Sequence, residues 1–393
     1  MSSVRARVWR FTVEKGKSGA EAVQAVEIGQ GPLPVSLAAV VNINALACDL
    51  RKTVDQRVRD HEISLLLSYI AGSPGAGSLG VDCPALDSSS GHIRRFVSEC
   101  TGLGVMTAAS EALFDWKPGT NGLSSFDVLP GKLVGTYAKK GVRPDLLYDL
   151  AAGPLAGEAR GRRRDHKQMF PAGKGTQAQK ARLEKLAQWS VDHDDHAYFM
   201  SWVWLGTGGI YVDIFLPDDA PATAGLRTGW IDMPGSAPPW RFRVPRPDPR
   251  RRADLEPEGP LRVRADSAPE SDAEGSADAA GAHVRTAISL AEPVVEAAMN
   301  RSFSREDTLG TFSGVEVRGR WIRGDAVGQA RHEVLLGVLG ERVPVDHRAQ
   351  RRRLASRTDD RLDVFLEGRL LTIVHPVDSP RPSWDRVQSE LLG

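Results

Sequence analysis

A chain of 393 residues, 41% hydrophobic and 26% charged, is long enough for two or three folded units and can fill their cores. Its formal net charge of +1 gives no global attraction to nucleic acid, so such binding needs a local patch. The three cysteines, Cys48, Cys83 and Cys100, show no CxxC spacing, which argues against a disulfide framework or a zinc knuckle. The opening MSSVRARVWRF lacks an apolar signal core, and the run Ile63 to Ala71 is too short to span a bilayer. The expectation is a soluble cytoplasmic protein.

Val4 to Glu14 is strand-like, residues 15 to 19 turn, and Ala22 to Ile28 return as a hairpin. Val40, Ile43, Ala47, Leu50 and Val54 recur at helical spacing, as do Ile63, Leu66, Leu67 and Ile70, which predicts two helices with a break near Asp60. Ser73 to Gly77 is a loop. Ser90 caps a further helix through Ile93, Phe96 and Val97, interrupted at Gly102 to Gly104 before Val105 to Phe114 continues it.

Three strands are expected next: Lys132 to Lys139, Val142 to Leu150, and Pro154 to Arg160, the last two joined by a tight turn at Ala151-Ala152-Gly153. A two-residue turn at Ala151-Ala152 sets Asp145 opposite Glu158, and alternation puts Arg160 on the same face as Glu158. The other face carries Val142, Leu146, Tyr148 and Leu150 against Leu155 and Ala159. Two facing carboxylates repel, and a divalent cation between them removes the repulsion; hard oxygen ligands suit Mg²⁺ or Mn²⁺. Such an ion polarises a phosphate and activates water, which is the chemistry of phosphodiester cleavage.

Arg143-Pro144-Asp145 followed by Glu158-Ala159-Arg160 resembles the bipartite signature of the PD-(D/E)xK, or restriction-endonuclease-like, nuclease superfamily. The resemblance covers roughly Ser88 to Pro217 and implies an α/β core ordered helix, three strands, helix, strands. It implies that Asp145 and Glu158 bind the metal. Arg160 stands where the family has lysine, and a guanidinium stabilises charge without acting readily as a base. A helix before the first strand supplies an extra acid in that family, a role for Glu99 or Glu111. The implied partner is nucleic acid, with DNA first. A catalytically silent descendant that binds nucleic acid or a protein partner is the alternative that Arg160 favours; a second copy of the chain is a further candidate partner, and a third reading takes the hairpin as coincidence in a structural or interaction module.

Arg162, Arg163, Arg164 and Lys167 leave directly from the acidic strand, where a phosphate backbone would lie, and Lys174 follows. Gln168 and Gly175 break the GxxxxGK[ST] phosphate-loop pattern. Thr176 caps a helix from Gln177 to Val191, with Ala178, Ala181, Leu183, Leu186 and Ala187 on its buried side. Gln177, in its first turn, faces the site if the family's packing holds. His196 to Leu205 and Gly209 to Leu216 are β-like. Asp192 to His196 reads as a solvated connector rather than a metal cluster. His332-Glu333 lacks the second histidine of a zinc helix, and Gly102-Leu103-Gly104 fails the dinucleotide fingerprint.

Pro234 to Ala282 is dense in Pro, Ser, Ala and charge and is expected to be a disordered linker. Beyond it, Val284 to Met299 reads as a helix disturbed at Pro293, and Phe312 to Ile322, Glu333 to Leu339 and Leu362 to Val374 read as strands. Four regions result: a hairpin and helical extension (1–87), the nuclease-like core (88–233), the linker (234–282) and a C-terminal α+β unit (283–393).

Overall fold

The structure is a computed structural model that describes residues 2–15, 21–49, 56–71, 79–114, 116–126, 142–150, 153–164, 176–193, 195–218, 272–324, 332–345 and 362–392. The expected strand Lys132 to Lys139, the loop Ser73 to Gly77, Lys167, Lys174 and most of the expected linker lie outside these residues. Among the described residues no helix is long and apolar enough to cross a membrane.

The chain opens with a long hairpin, β1 (Ser3–Lys15) and β2 (Glu21–Pro34), and then two helices, α1 (Leu37–Asp49) and α2 (Gln56–Tyr69). Asp60, where a break was expected, lies within α2. A small ladder, β3 (Ile70–Ala71) with β4 (Gly80–Val81), precedes α3 (Cys83–Ser88) and α4 (Gly91–Phe114). Next come β5 (Leu123–Ser125), β6 (Leu146–Leu150), β7 (Gly153–Arg163), α5 (Thr176–Val191), β8 (Tyr198–Gly206) and β9 (Gly209–Pro217). After β9 follow α6 (Asp272–Phe303), β10 (Thr308–Phe312), β11 (Val315–Arg323), β12 (His332–Leu339), β13 (Asp363–Glu367), β14 (Leu370–Pro376) and α7 (Trp384–Leu392).

The fold is mixed α/β. Its larger sheet has the order β2-β1-β9-β8-β7-β6-β5, with parallel pairs β1–β9 and β7–β8 and antiparallel pairing elsewhere. The smaller sheet, β10-β11-β12-β14-β13, is antiparallel throughout. Both faces of the larger sheet are covered, which explains why β8 is buried along its whole length and reads as a continuous apolar run. Val203, Leu205, Val212 and Ile214 lie on the face that α4 covers, whereas Met200, Trp202, Trp204 and Phe215 lie on the face that α5 covers.

Helix α4 is unbroken at Gly102 and Gly104, contrary to expectation, and close packing explains the glycines. A Cβ at Gly102 would meet the Arg160 backbone at 3.0 Å, and one at Gly161 would sit 1.6 Å from the Ser98 carbonyl oxygen. The helix therefore lies directly on β7. In α5 the buried stripe is Gln179, Leu183, Leu186 and Trp189, while Ala178 and Ala181 are exposed. The small alanines carried too little apolar surface to set the helix's rotation, and the bulkier side chains set it.

The smaller sheet packs on α1, which on its other side packs against α4. Asn42 donates to the Leu370 carbonyl and the Thr372 hydroxyl at 2.7 and 3.0 Å, and Asp363 accepts the Ser36 hydroxyl and the Ala38 N–H at 2.7 and 3.1 Å. The Asp363 carboxylate thus meets the start of α1, where the helix leaves unpaired N–H groups. Helix α6 begins at Asp272, within the expected linker, and runs through Pro293 to Phe303. The expected strand Leu362 to Val374 is a hairpin turning at Gly368, whose φ of +58° suits glycine.

Candidate functional site

The β6–β7 ladder pairs Leu146 with Gly157 and ends at Leu150 with Gly153, which adopts φ +120°. Extending that register by one residue sets Asp145 opposite Glu158. Asp145 donates its N–H to the Gly157 carbonyl at 2.9 Å, and its Oδ2 accepts the Ala159 N–H at 2.7 Å. The carboxylate thereby continues the ladder beyond the point where β6 begins. Val142 joins the core on the α5 side, not the Leu146 side as expected.

Glu158 has no exposed surface. Its Oε1 takes Arg160 NH2 at 2.6 Å and both Nε and NH2 of Arg182 at 2.7 and 2.5 Å. Its Oε2 is buried and has no hydrogen-bond partner among the described residues. Burial pushes the Glu158 carboxyl up to about 8, and Asp145 adds to the rise against the two guanidiniums. Burial also raises Asp145, opposed by Arg160, the Ala159 N–H and Arg182. Arg160 and Arg182 keep 25% and 21% of their side-chain surface in solvent, so donors beyond those spent on Glu158 remain reachable.

Asp145, Glu158 and Arg160 are thus brought together, and Arg182 joins them from α5. Arg182 precedes Leu186 and Trp189 by four and seven residues, so helical spacing alone puts it on the buried face. Gln177 is exposed, while Gln179 reaches into the sheet. Glu111 lies twelve residues along α4 from Glu99, about 18 Å of helix, toward the opposite end of β7. Glu99 is the acid of α4 near the site: it pairs with Arg95 at 2.9 Å, approaches Arg162 at 3.9 Å and acts on Asp145.

Arg162 lies over the Trp202 ring at 5.8 Å. Arg163 pairs with Asp87 at 2.6 Å and donates to the Leu205 carbonyl, and Arg164 is exposed at the end of β7. Arg94, Arg95, Arg162 and Arg163, with Asp87, Ser98 and Gly161, line a surface groove of about 450 Å³ between α4 and the end of β7.

A second buried acid, Asp213, is the lone charge of β9. Its Oδ1 accepts Trp9 Nε1 at 2.9 Å and forms an ion pair with Arg7 NH2 at 2.6 Å, and its Oδ2 accepts Trp204 Nε1 at 2.8 Å and Gln179 Nε2 at 3.4 Å. Burial raises its pKa, opposed first by Arg7 and then by the two indoles and Gln179. A single Asp in the apolar run GIYVDIFLP was its signal in the sequence.

The site's charges bear on whether it fits a divalent cation. Asp145 and Glu158 are already balanced by Arg160 and Arg182, and both guanidiniums converge on one oxygen of Glu158. A cation there would sit beside two like charges. No group of three or more His, Cys, Asp or Glu able to hold a metal occurs among the described residues. The arrangement does not fit Mg²⁺ or Mn²⁺ without displacement of an arginine. No family model, curated protein or solved structure matches the chain.

Proposed function

We propose that the chain is a nucleic-acid-binding protein of restriction-endonuclease-like design, in which guanidiniums hold the phosphodiester backbone at the place where a PD-(D/E)xK nuclease keeps its metal. The order α4, β6, β7, α5, β8, β9 and the pairing of Asp145 with Glu158 support the nuclease-like part of the reading. The observation that carries the binding part is the convergence of Arg160 and Arg182 on Glu158 Oε1. Glu158 fixes the two forks in place, so less side-chain freedom is lost when phosphate oxygens take the remaining donors. Arg94, Arg95, Arg162 and Arg163 extend the positive surface past the end of β7.

Titrating labelled single- and double-stranded DNA and RNA with the full chain, with and without Mg²⁺ or Mn²⁺, tests this. Binding that weakens with salt and leaves the strands intact is expected. In the Arg160→Ala, Arg182→Ala double variant the slope of log K against log salt should become shallower by about 1.4 on single strands. Metal-dependent cutting that disappears in Glu158→Ala would overturn the reading in favour of a nuclease with Asp145 and Glu158 as ligands. Absence of binding to every nucleic acid would overturn both.

A further inference from the structure

On the α5 face of the larger sheet the registers of β1, β9, β8 and β7 line up three transverse rows. The outermost is Arg5, Tyr211, Trp204, Arg162; the next is Arg7, Asp213, Trp202, Arg160; the third is Trp9, Phe215, Met200, Glu158. The outer row thus begins and ends on an arginine with aromatic side chains between. With neighbouring strands ~4.8 Å apart, Arg5 and Arg162 stand about 14 Å from each other.

The arginines here are backed by rings. Arg5 lies over Tyr211 at 5.5 Å, Arg7 over Trp9 at 5.2 Å and Arg162 over Trp202 at 5.8 Å. Arg5 NH1 also donates to the Tyr211 hydroxyl at 3.3 Å and Arg162 NH1 to the Gly161 carbonyl at 3.0 Å, which leaves both guanidiniums further N–H donors for phosphate, whereas Arg7 NH2 is held by Asp213 at 2.6 Å. Arg5 is exposed, the Arg162 side chain keeps 43% of its surface in solvent, and Tyr211 is half-buried between them. Trp202 and Trp204 are buried beneath these side chains. Among the described residues at this end, Arg5, Arg7, Arg160, Arg162 and Arg182 outnumber Asp145, Glu158, Asp213 and Glu99, and Asp213 already holds three hydrogen bonds and the Arg7 ion pair.

We infer that a single-stranded nucleic acid lies across β1, β9, β8 and β7 at this end of the sheet, with phosphates on Arg5 and Arg162 and one base stacked on Tyr211. This rests on the nucleic-acid reading above and adds the N-terminal hairpin to the binding surface. An aromatic ring set between two phosphate-binding arginines serves an unpaired base, because the bases of a duplex are turned inward on one another. From Arg162 the strand continues toward the arginine-lined groove at α4.

The test is fluorescence anisotropy of a labelled single strand and a duplex of equal length with the full chain and with Arg5→Ala, Tyr211→Ala and Tyr211→Phe, each checked for unchanged melting. The single strand is expected to bind more tightly than the duplex. Tyr211→Ala should weaken it roughly 5- to 150-fold, while Tyr211→Phe, which keeps the ring and loses only the hydroxyl that accepts from Arg5, should weaken it less than about 5-fold. Arg5→Ala should make the salt slope shallower by about 0.7. If Arg160→Ala and Arg182→Ala weaken binding while the Arg5 and Tyr211 variants do not, or if the duplex binds better, this path is wrong and the nucleic-acid reading survives. If wild type binds no nucleic acid, that reading has failed as well.

Discussion

Asp213 and Glu158 occupy the same face of the same sheet, separated by β8, and neither has exposed surface. Their partners are distributed differently. Asp213 accepts three hydrogen bonds across its two oxygens, from the two indoles and Gln179, all neutral groups held by packing, and forms an ion pair with Arg7. Among the described residues Glu158 has three charged nitrogen contacts on Oε1 and no hydrogen bond on Oε2. A buried carboxylate whose oxygens are both answered is a structural tie among strands and helix. One answered on a single side, by arginines that also reach solvent, leaves its partners able to bind something else.

The sharpest way to break this contrast is to remove Asp213. Asp213→Ala leaves Arg7 and two indole N–H groups facing a vacated site and is expected to cost about 3–5 kcal/mol in urea unfolding. A loss under about 1 kcal/mol would mean that water satisfies those donors, and Asp213 would no longer count as a structural tie. Glu158→Gln is expected to be milder, because its amide oxygen still accepts from the arginines and Oε2 makes no bond to lose. Its signature is in pH. The Glu158 pKa is raised from 4.5 to about 8 in the folded state, so between those values the folded protein holds a proton that the unfolded chain has released. Stability therefore falls as pH rises through that window, and Glu158→Gln should remove about 2–4 kcal/mol of the fall. Parallel wild-type and variant profiles from pH 5 to 9 would show that the carboxyl is not held protonated by its surroundings.

The difference between the two acids also marks what sequence can convey. The facing of Asp145 and Glu158 was legible because it depends on local turn length and alternation, both of which hold at Gly153 and along β6–β7. Elements with strong periodicity, such as α5, β8 and β9, fell close to their expected bounds. Arg182 and the Asp213 cluster depend on tertiary packing between segments far apart in the chain, and no local pattern sets which donor reaches which carboxylate. Gly102 and Gly104 were misread for the same reason: a glycine that admits a neighbouring backbone looks in sequence like one that breaks a helix. The placement of the smaller sheet on α1, through Asn42 and Asp363, had no local signal at all.

The smallest expected effect concerns the residue at which the motif departs from the resembled family. Arg160→Lys keeps the charge next to Glu158 but replaces a planar fork with a single ammonium, which can hold the carboxylate or a phosphate less easily in both directions at once. With Arg182 still in place, Glu158 keeps a charged partner and the fold should be unaffected. Nucleic-acid affinity should fall by about 0.5–1.5 kcal/mol, measured by anisotropy at fixed salt, with no cutting in Mg²⁺ or Mn²⁺. If lysine instead brings metal-dependent cutting, then the guanidinium of Arg160, rather than the second one from Arg182, is what keeps a cation out. The contrast between the two acids would then reduce to that one side chain.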